Sequence, residues 1–434
     1  MHTLRRLLAA AALVAVLASG TACAAPSNDG LLVRVPQDAS TLSEAAEQVA
    51  PGGTILIAPG TYDDELQINT PDVTVRGEDR NATVIDGGGI RPYGIVSIAD
   101  GVTVENLTVT GATFYGVLFT GLHDKNGPSA PTADGYTPWD PEAFPPLQRF
   151  LIDHVTAYNN GLYGIYAFNA QHGVIRDSYA SGSADSGIYV GQCRNCDVLV
   201  AGNVAERNAV GFENANASDS VVITGNRFSR NRVGLTLLSS YQEAFTPQHA
   251  NQVVGNLISD NDAADSPSQA EGGFATGVGI SGGEANIFER NRISGNARAG
   301  VILTNTEDLP ATGNRFTANV YAANGVDLGN VSAARTPATS NCAEDSPSTA
   351  PAALAAELTA GCDGSHAAQS ATDAVAGPDA PIGSSFRDVA PPAPQPNLAN
   401  PTERTTLPKT ITMPDLEAVD VPADDFLADR AGSR

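Results

Sequence analysis

The triplet Gly-Ile-Tyr stands at 164–166 and again at 187–189, and Gly-Phe-Glu follows at 211–213. Two phenols and a carboxylate recurring at such an interval can do chemistry if the chain brings them to one surface. An aromatic face covers the C–H side of a sugar ring while its hydroxyl stays free, and a carboxylate with a shifted pKa serves as acid or base. Tyr166, Tyr189 and Glu213 are therefore the candidate catalytic trio, with Asp185, just before Gly187, and His172, in the turn between the two tyrosine strands, at its border. Phe168, Gln192, Arg194 and the single tryptophan, Trp139, are candidate substrate contacts, Arg194 as a charge partner. Each has an ordinary structural explanation too, because outer-face tyrosines stabilise neighbouring strands.

The elements that would position these residues follow from a repeat. A polar residue, four residues and then Asn or Gly recur as Asn106/Gly111, His154/Asn159, Asp177/Gly182, Asn203/Asn208, Asn226/Asn231, Asn256/Asn261, Asn291/Asn296 and Asn314/Asn319. Short β-branched runs such as "VVITGN" precede the pairs, and a glycine opens another run after each, as in "GIYA", "GIYV" and "GLTL". Units of about 23 residues with three short strands cannot bury their apolar side chains alone, but stacked units can. The predicted fold is all-β, a right-handed parallel β-helix over 31–330, with coils about 4.8 Å apart and asparagines in buried ladders. His154 reads as a substituted ladder residue. Strand alternation turns Ile165 and Ile188 inward and Tyr166 and Tyr189 outward, in an exposed column of Leu118, Tyr166, Tyr189, Glu213, Thr236, Ser281, Ile302 and Asp327.

With this repeat the chain resembles the pectate-lyase-like parallel β-helix superfamily. The opening "STLSEAAEQVAPGGTILIAPGTYDDELQI" is similar to that of its members, in which a short amphipathic helix closes the cylinder end. Thr41 and Glu44 form a capping-box pair, and Leu42, Ala45, Ala46 and Val49 share a face. The resemblance implies a polysaccharide held along an outer sheet between flanking loops. It supplies no catalytic signature: the G-H-G and R-I-K elements of polygalacturonases and the D-P-H-D of alginate epimerases are absent. The sequence names no cofactor with certainty; a lyase would need Ca2+ held by residues such as Glu213 and Asp185. A copper-site maturation factor of the nitrous oxide reductase accessory type shares the repeat, but six scattered histidines and one internal methionine, Met413, suit copper poorly.

The rest of the chain bounds the partners. A net charge of −24, with Lys125 and Lys409 the only lysines, disfavours nucleic acid. The first residues, with Arg5 and Arg6 before an apolar stretch too short to span a bilayer, read as an export signal over 1–23. Its end resembles a bacterial lipoprotein signal with Cys23 as the lipidated residue, which would anchor the protein to a membrane; ordinary cleavage near Ala22 to Ala25 is the alternative. Cys193 with Cys196 and Cys342 with Cys362 then pair as disulfides of an oxidising compartment. Insertions near 121–148, 239–249 and 262–276 should gather beside the binding face. The Ala/Pro-rich 331–434 reads as mostly disordered or extended, with a small cap tied by Cys342–Cys362. Two functions follow: a polysaccharide lyase, epimerase or hydrolase, or a non-catalytic envelope protein that binds or displays.

Overall fold

The computed structural model describes residues 29–124, 127–129, 140, 142–268, 273–400, 405 and 407–432. The export segment with Cys23, and Trp139, lie outside the described residues. The chain winds as a right-handed parallel β-helix. One wall is an eleven-strand parallel sheet running from Leu66–Ile68 to Thr349–Ala350, and a twenty-strand set forms the remaining walls. The long strand Leu147–Tyr158 turns a corner between them, pairing with both Ala170–Arg176 and Tyr179–Ser181.

Alternation works as the sequence requires. Ile165, Ile188, Phe212, Leu235, Val278 and Val301 are in register and wholly buried inside the cylinder. Both ends are closed. At the first, helix Leu42–Gln48 places Leu42 and Ala45 over the opening coil, with Thr41 Oγ1 accepting from the Glu44 N–H. The Glu44 carboxylate reaches back to Ser40 rather than to Thr41, accepting from its N–H and hydroxyl. At the other end, helix Leu354–Cys362 seats Leu354 and Leu358 on the last coil, fixed by the Cys342–Cys362 disulfide.

The polar repeat divides into more columns than the sequence pattern suggested. Asn203, Asn226, Asn256, Asn291 and Asn319 form one ladder, each amide donating to the next carbonyl oxygen at 2.9–3.0 Å. Asn208, Asn231, Asn261, Asn296 and Asn324 form a second. Asn286, Asn314 and Asn341 belong to a third. The pair Asn314/Asn319 is therefore one column out of step, and the true partner of Asn319 is Asn324. His154 is not a ladder residue either. It stands with Asn106 and Asp177 at the corner before the ladder, all with φ near +50°, a left-handed conformation that Asn, Asp and Gly reach at least cost. The ladder position one residue later in that coil series is Ser178, whose N–H donates to Asn203.

The coils continue past residue 330, where the sequence reading ended them, through Cys342–Ala343 and Thr349–Ala350. Beyond them and helix Leu354–Cys362 the tail is docked along the flank, extended except for short turns at Phe386–Asp388, Leu416–Ala418 and 424–430. Its carbonyls accept from arginines of several coils: Pro396 from Arg80, Pro422 from Arg292, Phe426 from Arg227. Arg430 returns the favour by donating to Gly202 and Ser178. A Pro-rich extended stretch makes no hydrogen bonds of its own, so the Pro396 and Pro422 carbonyls take donors along its path, whereas Phe426 sits in a turn.

Candidate functional site

The outer face of the eleven-strand sheet carries the predicted column. Leu118, Tyr166, Tyr189, Glu213 and Thr236 are in register, as the repeat required, and Gly279, Ile302 and Gly329 continue it. Ser281 and Asp327 do not belong to it. Ser281 pairs with Leu238 and Thr304 two positions along, and Asp327 accepts from the Ser348 N–H and hydroxyl.

The column points outward, but it is not exposed. Tyr166, Tyr189 and Glu213 retain 3, 2 and 8% of their accessible surface. Two insertions roof them. From the first come Leu122 and Phe144, packed on the aromatic cluster, with the Phe144 carbonyl held by Asn169. From the second come Ser240 and Glu243, whose carbonyls accept from Asn216, and Ala244, whose N–H donates to Gln192 Oε1 at 3.0 Å.

Beneath the roof Tyr93, Tyr115, Tyr163, Tyr166, Phe168 and Tyr189 form one aromatic cluster. Tyr115 stacks on Tyr163 at 5.4 Å, Tyr163 lies 4.6 Å from Tyr189, and Tyr189 meets Tyr166 edge-on at 4.9 Å. A cavity of about 140 Å³ remains between Tyr93, Tyr115, Leu118, Tyr166, Phe168 and Leu122. The Tyr189 hydroxyl donates to Glu243 Oε1 at 2.5 Å, while Glu243 Oε2 makes no hydrogen bond. Burial pushes the Glu243 carboxyl up to about 8, against the lowering effect of the Tyr189 bond. The Tyr189 phenol is raised far above its usual value by burial and by the Glu243 charge. Glu213 Oε2 accepts from the Ser186 hydroxyl, which also lies 3.4 Å from Asp185 Oδ1.

The other predicted residues are dispersed. His172 lies past the corner, beside Asp197 at 3.1 Å, in the adjoining sheet rather than at the column. Gln192 and Arg194 hold the roof, Gln192 through Ala244 and Arg194 by lying 5.7 Å over the Phe245 ring. Cys193–Cys196 and Cys342–Cys362 are both disulfides. Tyr93, Tyr115, Tyr163 and Glu243 were missed. The tyrosines had a signal, since each precedes a strand-opening glycine as Tyr-Gly; Glu243 had none, because an insertion has no repeat register.

The open part of the face lies farther along the same column. Side chains shrink from Tyr189 through Glu213 and Thr236 to Gly279, so the floor drops and a groove of about 630 Å³ opens, within the range of ligand sites. Thr236, Gly279 and Ile302 form the floor, Ser240 to Gln242 one wall, and Phe274 and Arg298 border it elsewhere. Tyr241, 52% exposed, has its hydroxyl fixed on Asp308 Oδ1 at 2.7 Å. Hydroxyls are plentiful, with Ser281 and Thr306 bonded to each other at 2.7 Å. The lining combines flat apolar contacts with hydrogen-bonding groups between them, which a chain of hydroxylated rings could use.

Metal donors do not converge there. Among the described residues, candidate ligands meet in threes at two places, neither including Glu213 or Asp185. One consists of Glu344 with the disulfide sulfurs of Cys342 and Cys362. The other is Asp153, His154 and Asp177, where Asp153 is already engaged by His154 and by both donors of Arg176, and Arg430 lies 3.6 Å from Asp177. Two guanidiniums beside the set oppose a bound cation, and no free thiolate or thioether joins it, so the described donors do not fit copper.

A family model described as "Periplasmic copper-binding protein (NosD)" matches residues 52–271, and one described as "Right handed beta helix region" matches residues 243–355. No curated protein matches the chain. Among solved structures, the A-module of mannuronan C-5 epimerase AlgE4 from Azotobacter vinelandii is 16% identical over 64% of this chain and 88% of that one, with a TM-score of 0.40. Alginate lyase from Paenibacillus sp. str. FPU-7 is 16% identical over 66% and 94%, TM-score 0.37. Pectate lyase Pel9A is 15% identical over 57% and 68%, TM-score 0.40.

Proposed function

The chain belongs to the NosD family, described as periplasmic copper-binding protein, and on that scaffold we propose that it is an exported protein binding a polysaccharide rather than one handling copper. The observation that carries this reading is the open groove of about 630 Å³ over Thr236, Gly279 and Ile302, lined by hydroxyls and the half-exposed Tyr241 ring. Two disulfides accord with an oxidising compartment, the "periplasmic" of the family description agrees with the export signal, and lipidation of Cys23 would place the groove at a membrane surface. Copper is disfavoured because the described cysteines are in disulfides and the histidines meet no second soft donor.

The test is retention on immobilised polysaccharides, neutral and anionic. A Cβ at Gly279 meets nothing nearer than Thr236 Cγ2 at 3.5 Å, so Gly279→Trp fills the groove without disturbing the sheet. Gly279→Trp and Tyr241→Ala should each abolish retention with the melting curve unchanged; retention untouched by both would end the groove reading. A catalytic role for Tyr166, Tyr189 and Glu213 is favoured by one observation, the Glu243 carboxyl held as an acid near neutral pH against Tyr189. It requires the roof to open, and a product from any polysaccharide that disappears in Tyr189→Phe would support it.

A further inference from the structure

We propose that the groove is specific for a polymer carrying anionic groups, and that the docked tail masks the residues that read them, Arg232 and Arg298. This rests on the groove binding a glycan chain. Val233, Thr276 and Ala299 are in register on successive strands, so Arg232, Ala275 and Arg298 stack at the corner beside the groove. The two guanidinium stems are thus two coil spacings apart, about 10 Å, with only a methyl group between them. Arg298 lines the groove, and the Arg232 guanidinium lies 4.8 Å over the ring of Phe274, which lines it too.

Both cations are under-satisfied. Arg232 is 2% exposed, yet its Nε and Nη1 make no hydrogen bond, and Arg298 Nε is likewise buried without one. No ion pair with a carboxylate involves either among the described residues, and burial alone lowers the pKa of Arg232. Each has a single acceptor, a carbonyl of the tail: Pro381 at 2.6 Å from Arg232 and Pro378 at 3.3 Å from Arg298. A buried guanidinium with idle donors is costly, and a neutral carbonyl leaves its charge uncompensated. A carboxylate or sulfate would accept two bonds from the fork and neutralise it. The masking segment is lightly held: residues 376–380 are exposed, and Ile382 is 98% exposed. It therefore occupies the positions that two anionic groups on a bound chain would take, and such a chain displaces it.

The segment can be loosened at both ends without substituting either arginine, and Gly383→Val does so clear of both. A Cβ at Gly377 would lie 2.6 Å from Arg298 Cβ, and one at Gly383 would lie 2.3 Å from the Ser268 nitrogen, so Gly377→Val and Gly383→Val push the tail off. Binding of the full-length protein to polygalacturonate, dextran sulfate and uncharged dextran is measured at fixed ionic strength. Loosening should tighten one or both anionic polymers by about tenfold, with steeper salt dependence and no change for dextran. The uronate and sulfate arms distinguish the two anions. Arg298→Gln in the loosened chain should erase the gain. In the unmodified protein the anionic polymer, but not dextran, should speed proteolytic cleavage between 377 and 383, since displacement works both ways. The proposal is overturned if the anionic polymers neither gain affinity on loosening nor speed that cleavage, or if the gain survives Arg298→Gln. Binding of dextran alone, lost in Gly279→Trp, would leave the groove standing and this inference refuted.

Discussion

Glu243 offers the sharpest quantitative test of how the roof is held. Its carboxyl titrates at about 8 in the folded protein against 4.5 for an ordinary glutamate. A carboxyl raised by burial binds its proton more tightly folded than unfolded, so between these two values the native state carries the extra proton. Stability must then fall as pH rises through that window and level off above about 8. Each pH unit is worth about 1.4 kcal/mol, so the full gap of about 3.5 units amounts to roughly 5 kcal/mol. That exceeds what a surface loop held by a few hydrogen bonds can absorb, so the roof should detach locally before the cylinder melts. Glu243→Gln keeps the shape and a neutral acceptor for Tyr189. Its Tm should be nearly flat between pH 5 and 8 where that of the parent falls, and exchange of the Ala244 N–H, corrected for intrinsic rate, should accelerate with pH in the parent only. Parallel curves for the two proteins across that range would refute the buried-acid account.

Asn256 accepts from the Asn226 amide and donates to the Asn291 oxygen at 3.0 Å and to the Ile223 carbonyl at 2.9 Å. Asn256→Ala strands both neighbours, and urea unfolding should show a loss of about 3 kcal/mol, whereas the same change at exposed Asn400 should cost under about 0.5 kcal/mol. Cys342 and Cys362 close a loop of sequence separation 20; replacing both by alanine should lower stability by about 3 kcal/mol, measured by denaturant midpoint, with helix Leu354–Cys362 losing exchange protection first.

The difference between the expected column and the observed one has a particular cause. Register is a local property here: Tyr166 lies over Tyr189 because the same spacing separates every pair of neighbouring strand-opening glycines between Gly164 and Gly234 to within a residue. The slips occur where that spacing fails. Beyond Gly234 the insertions break the count, and the column was carried onto Ser281 and Asp327 instead of Gly279 and Gly329. Exposure is not local. Whether Tyr189 faces water depends on Glu243 arriving from a segment more than fifty residues away in sequence, and no pattern within a coil encodes that.

The sequence by itself determined the cylinder: period, inward Ile165 and Ile188, outward Tyr166 and Tyr189, the capping helix and both disulfides, because stacked coils make each residue's environment a function of its place in the repeat. Only the tertiary structure decided which stretch of the outer face stays open. The aperiodic segments cover Tyr166, Tyr189 and Glu213 and leave Thr236 to Ile302 uncovered, and the tail lies over the arginine flank. Those contacts join residues of unrelated spacing, chosen by volume and by unmet hydrogen-bond donors, which become visible once the chain is wound.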